Sequence, residues 1–139
     1  MKPFDSVLEE EVKAYTGPHA DLITQSFDLF RMMTGLLGDK DLPRKGRPLV
    51  TSAISYFVLP YDLIPEAHHG PEGYADDIYV CAVIANRVSL LHGSDEILDR
   101  HWVGEGKARS VIDTIIGRER DLIGNRRKKL LYYVGIKEE

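Results

Sequence analysis

Cysteine is almost missing from this chain: Cys81 stands alone, so no internal disulfide can form. Long apolar runs are missing too. The two longest, Leu49 to Ile64 and Ile78 to Leu91, are broken by Pro60 and Asp62 and by Asn86 and Arg87, and both fall short of the ~20 residues that span a bilayer. Membrane contact is therefore expected to be peripheral at most. The opening, Met1 to Glu11, lacks the apolar stretch of a secretory leader, which makes the cytoplasm the expected compartment. Sustained strand alternation, internal repeats and low-complexity tracts are absent as well, which argues against an all-β or repeat architecture.

What remains is a chain of 139 residues, 43% apolar and 29% charged, with a formal net charge of -4. That length buries one hydrophobic core and leaves no room for a second, so residues 1–139 read as a single domain. Ser6 and Glu9 have capping-box spacing ahead of Val7, Leu8, Val12 and Tyr15. The stripe Leu22, Ile23, Phe27, Phe30, Met33, Leu36 and Leu37 follows the helical period, predicting one helix from Pro18 to Leu37. Gly38 to Pro48 is dense in Gly, Pro and charge and reads as an exposed, flexible loop. A third helix is expected from Pro48 to Leu59, stopped by Pro60. From Ala75 or Asp76 to His92 the residues are apolar almost all round, as in a helix buried on most sides. Gly93-Ser94 supplies a stop and a following cap, a short helix holds Ile97, Leu98 and Trp102, and one or two terminal helices follow. The class is all-α, a bundle of about five to seven helices around a central helical hairpin.

Within that hairpin stand Tyr56, then Pro60-Tyr61-Asp62-Leu63-Ile64-Pro65, then Gly73-Tyr74-Ala75-Asp76-Asp77. This composite motif resembles the YkvA-like family of small bacterial proteins, a domain of unknown function, over residues 49–91. The resemblance implies a helical hairpin whose connecting loop carries Asp62, Asp76 and Asp77, framed by Tyr56, Pro60, Pro65 and Gly73. It brings no reaction, substrate or cofactor. The connector here departs from the apolar family pattern, reading Ala67-His68-His69-Gly70-Pro71-Glu72, so no family role passes to the two histidines.

Charge is distributed unevenly. Pro48 through Asn86, 39 residues, contain no Lys or Arg, yet this stretch holds Asp62, Glu66, Glu72, Asp76 and Asp77. If the flanking helices pack antiparallel, Asp62 approaches Asp76 and Asp77, and like charges raise one another's pKa unless something answers them. Solvent, helix N-terminal amides, a distant cation or a metal could do so. In the structural outcome Asp76 or Asp77 caps the head of the buried helix, Asp62 caps its own turn, and Arg44, Lys45, Arg47 or Arg87 reaches in as partner. In the metal outcome Asp62, Asp76 and Asp77 hold Mg²⁺, Mn²⁺ or Ca²⁺, with His68 or His69 tilting the site toward Zn²⁺.

Other motifs fail. Gly104-Glu105-Gly106-Lys107 lacks the first glycine and the final hydroxyl of a phosphate loop, and Arg109 occupies the third glycine position of a dinucleotide fingerprint. Cys81 reads as an inert buried thiol. The basic run Asn125 to Lys129 reads as a solvated face in an acidic chain of pI ≈ 5.7, so a nucleic-acid partner is not expected, whereas Tyr132 and Tyr133 suit docking on the bundle or on a second subunit. The sequence thus points to a non-catalytic interaction or structural module with an acidic Asp-rich loop, with a homodimer as the expected assembly. The alternative is a divalent-metal-dependent hydrolase in which Asp62, Asp76 and Asp77 hold the ion and a spare carboxylate serves as base.

Overall fold

A computed structural model describes the backbone over residues 4–63 and 71–136 and the side chains over 6–58 and 74–136. The described chain is all helical: α1 (Phe4–Lys13), α2 (Ala20–Ile23), α3 (Ser26–Leu37), α4 (Gly46–Leu63), α5 (Pro71–His92), α6 (Glu96–Asp99), α7 (Ala108–Gly117), α8 (Glu119–Leu122), a 3₁₀ turn (Gly124–Arg126) and α9 (Arg127–Tyr133). Five of these α-helices have ten residues or more and four are short.

The centre is α5. Ile78, Tyr79, Val80, Cys81, Ala82, Ile84, Ala85 and Val88 are all buried, so the helix has no continuous solvent face, as the all-round apolar sequence demands. It packs on α4 in a hairpin and also touches α2, α3, α6, α7, α8 and α9. Phe57 of α4 meets Phe30 of α3 edge to face at 5.4 Å, while Met32, Met33 and Leu36 of α3 and Ile97 and Leu98 of α6 close the same core. Gly93 ends α5 at φ 97°, its amide donating to the Ser89 carbonyl at 2.8 Å, and Ser94 Oγ accepts the Glu96 amide as α6 begins.

Several boundaries differ from the periodicity. The expected helix Pro18–Leu37 is two helices. Thr24 Oγ1 donates to the Ala20 carbonyl and Ser26 Oγ to the Ile23 carbonyl, each at 2.7 Å, and these local bonds compete with the helical ladder at the Thr24-Gln25 break. Ser6 is inside α1, not ahead of it. The helix expected to stop before Pro60 runs on to Leu63: this proline is close to the helix end, where one forfeited backbone bond is outweighed by the packing of the hairpin. The loop after α3 is shorter than expected, since α4 begins at Gly46, and it is pinned by Leu42, which is buried.

Candidate functional site

The start of α5 determines what its aspartates can do. The helix opens at Pro71, so Asp76 and Asp77 lie in its second turn and not at the cap position expected of them. The unpaired amides of a helix belong to its first turn, and the dipole's effect fades within that turn. Helix amides are therefore not what answers these carboxylates.

Asp76 is answered by Arg126. The guanidinium donates from Nη2 at 2.9 Å and from Nε at 3.2 Å to the same carboxylate oxygen, while its Nη2 also donates to the Leu122 carbonyl at 3.1 Å. The Asp76 side chain is only 15% exposed, so this ion pair is well shielded. The cations expected in this role, Arg44, Lys45, Arg47 and Arg87, lie elsewhere: Arg87 is eleven residues along α5 from Asp76, about 16 Å at helical rise. Asp77 is 1% exposed and faces the core beside Cys81, whose thiol pKa is pushed up first by burial and then by that carboxylate.

Tyr56 of α4 faces this acid pair. Burial, then the charges of Asp76 and Asp77, raise its phenol pKa well above the ordinary value and keep it neutral. Its ring meets Tyr133 of α9 edge to face at 6.2 Å. The motif's second tyrosine, Tyr74, donates its hydroxyl to Glu11 of α1 at 3.2 Å and packs edge to face on Tyr15. Three residues after Asp76, Tyr79 donates to Glu119, which also accepts from Arg127 Nε at 2.8 Å, and burial followed by the Glu119 carboxylate raises the Tyr79 pKa. Arg126 and Arg127 had read as part of a solvated basic face. Instead both turn inward to fasten the C-terminal segment onto α5.

Of the five residues read as metal ligands, the structure brings Asp76 and Asp77 together on α5. Asp62 falls in the last turn of α4, and its side chain, with His68 and His69, lies outside the described residues. Among the described residues no group of three His, Cys, Asp or Glu side chains is disposed to hold a metal ion. No helix there is long and apolar enough to cross a membrane.

Away from the hairpin's acid end, a concavity of roughly 610 Å³ opens between α3 and the segment after α6, with Phe30, Gly35, Arg100 and His101 in its wall. Its charges answer each other: Arg100 pairs with Asp39, Asp41 and Glu96, and His101 Nε2 lies 2.7 Å from Asp39 Oδ2. Only the Glu96–Arg100 pair has a helical i,i+4 spacing; the contacts to Asp39 and Asp41 join residues 59 to 62 positions apart and do not show in the sequence.

The class so defined is an all-α bundle around a polar-ended hairpin. Residues 47–83, which cover α4 and the first half of α5, match the family described as "Protein of unknown function (DUF1232)". The chain is similar to "Uncharacterized protein ORF9" of Methanothermobacter thermautotrophicus, 25% identical over 130 residues, covering 94% of this chain and 88% of that protein. No solved structure matches.

Proposed function

We propose that this chain is a non-catalytic helical module of the cytoplasm that works by association, and that its hairpin carries the YkvA-like signature as a structural clasp. The observation that carries this reading is the pair between Asp76 and Arg126. The acid end of the hairpin receives a cation from the chain itself, in a geometry that satisfies a carboxylate by charge and by two donors at once. The expected contact with a second copy falls on α9, where Tyr132 is 83% and Tyr133 75% exposed while Leu130 and Leu131 hold the helix on the core. Such rigid amphipathic rings favour interfaces.

Arg126→Gln should lower stability in urea by about 1–3 kcal/mol, because it strands a shielded carboxylate. Wild-type protein should melt at the same temperature with and without chelator and with added Mg²⁺, Mn²⁺, Ca²⁺ or Zn²⁺. A midpoint lowered by chelator would instead favour the hydrolase alternative at Asp62, Asp76 and Asp77, since an ion bound to the native state stabilises it. Light scattering should give a dimer mass that reverts to a monomer in Tyr132→Ser/Tyr133→Ser; a monomeric wild type would contradict self-association.

A further inference from the structure

The hairpin is polarised, and the end away from Asp76 bears the opposite charge. Gly46, the first residue of α4, sits so close to α5 that a Cβ there would be 3.4 Å from Val88 Cγ2. Arg44 and Lys45 immediately precede this contact and Arg47 follows it, while Arg87 and Leu91 flank Val88 on α5. All four cations are exposed, as are Leu90 (70%) and Leu91 (40%).

The acids nearest these cations in sequence are already engaged. Asp39 and Asp41, in the same connector as Arg44 and Lys45, turn onto Arg100, 3.1 and 2.9 Å away, and Asp39 also meets His101. Past the end of α5, Asp95 pairs with Arg109 and Glu96 with Arg100. Among the described residues none of Arg44, Lys45, Arg47 and Arg87 enters an ion pair. The connector's two carboxylates are thus paired with Arg100 and His101, while its cations Arg44 and Lys45 stay in solvent without an ion pair.

We infer that this end of the hairpin is a docking surface for an anionic lipid bilayer, with Arg44, Lys45, Arg47 and Arg87 on the headgroups and Leu90 and Leu91 entering the acyl boundary. Charge complementarity selects a negative partner, and unpaired basic side chains gain attraction near anionic headgroups. The two leucines select lipid over nucleic acid, because an exposed aliphatic side chain gains nothing against a phosphate backbone but is buried in an interfacial layer. The protein would lie on the membrane and not cross it, and the site is distinct from the α9 tyrosines.

Sedimentation with phosphatidylcholine vesicles, with and without phosphatidylglycerol, tests this. The full chain should pellet only with the anionic vesicles and be released by high salt. Removing a cation should weaken binding about fivefold, and Arg44→Gln/Lys45→Gln/Arg47→Gln about 100-fold. Leu90→Ser/Leu91→Ser should weaken binding to the same vesicles without abolishing its salt dependence. Failure of the wild type to pellet, equal pelleting with neutral vesicles, or undiminished binding by the folded triple variant would overturn the inference. So would duplex DNA binding as tight as vesicle binding and indifferent to the leucine change. The wild-type salt dependence reads out even if a variant misfolds, and none of these outcomes depends on the dimer measurement.

Discussion

At the scale of single residues, the acid response is set by carboxylates that nearby donors hold ionised. Asp95 accepts from Arg109 at 2.8 Å and 3.1 Å and also from Ser89, and these donors, the guanidinium foremost, hold its pKa down at about 2. Asp39 is likewise held at about 2, first by His101, then by the Asp41 amide, with Arg100 adding to both. A carboxylate whose folded pKa lies below its unfolded value stabilises the native state above the unfolded pKa and loses that contribution as the proton returns. Urea-unfolding stability should therefore fall as pH drops from about 4 toward about 2. Asp95→Asn should begin less stable at neutral pH and fall less steeply through that window, since its proton linkage is gone. An unchanged acid slope in the variant would show that Asp95 does not contribute.

At the scale of elements, two glycines with the same sequence appearance have opposite expected outcomes. On α3, a Cβ at Gly35 would lie 2.5 Å from His101 Nδ1 and 2.8 Å from its Cγ, so the ring has to move off Asp39. The gain in helix propensity, about 1 kcal/mol, is set against an overpacking cost of about 1–3 kcal/mol. Gly35→Ala should thus lower the melting temperature. Gly117, the last residue of α7, has open space where its Cβ would be, and Gly117→Ala should raise stability by up to about 1 kcal/mol. Calorimetry of the two variants should give shifts of opposite sign.

Helical elements were largely legible where burial is strong. The all-round apolar run from Ile78 identified α5, because a helix with no polar face has only the interior to occupy. The break at Thr24-Gln25 was hidden because the apolar stripe keeps its period across it, and the hydroxyl bonds that divide the helix carry no periodic signal. Pro60 misled in the other direction: local propensity argued for a stop, and hairpin packing overrode it. Of the candidate site, the adjacency of Asp76 and Asp77 could be read directly, but not the identity of the cation that meets Asp76. Arg126 is 50 positions from Asp76, and composition alone does not say which of 18 basic residues comes home.

At the scale of the molecule, one core holds every layer to α5, so access to its centre requires the bundle to open. Cys81 is fully buried there and its pKa is raised, first by burial, leaving little thiolate. Native protein should resist thiol labelling, and the labelling rate should rise with urea in parallel with global unfolding, as for a group exposed only by the largest opening. Fast labelling at low urea would place a weaker joint somewhere along α5.

The clasp made by Arg126 and Arg127 also bears on the order of biosynthesis. A ribosome delivers α4 and α5 well before residues 119–127, so the nascent hairpin waits with Asp76 and Tyr79 lacking their eventual partners. Consolidation of its polar edge waits until residues 119–127 have emerged, and a transcript cut short ahead of Glu119 would yield a polypeptide whose hairpin is complete but unlatched.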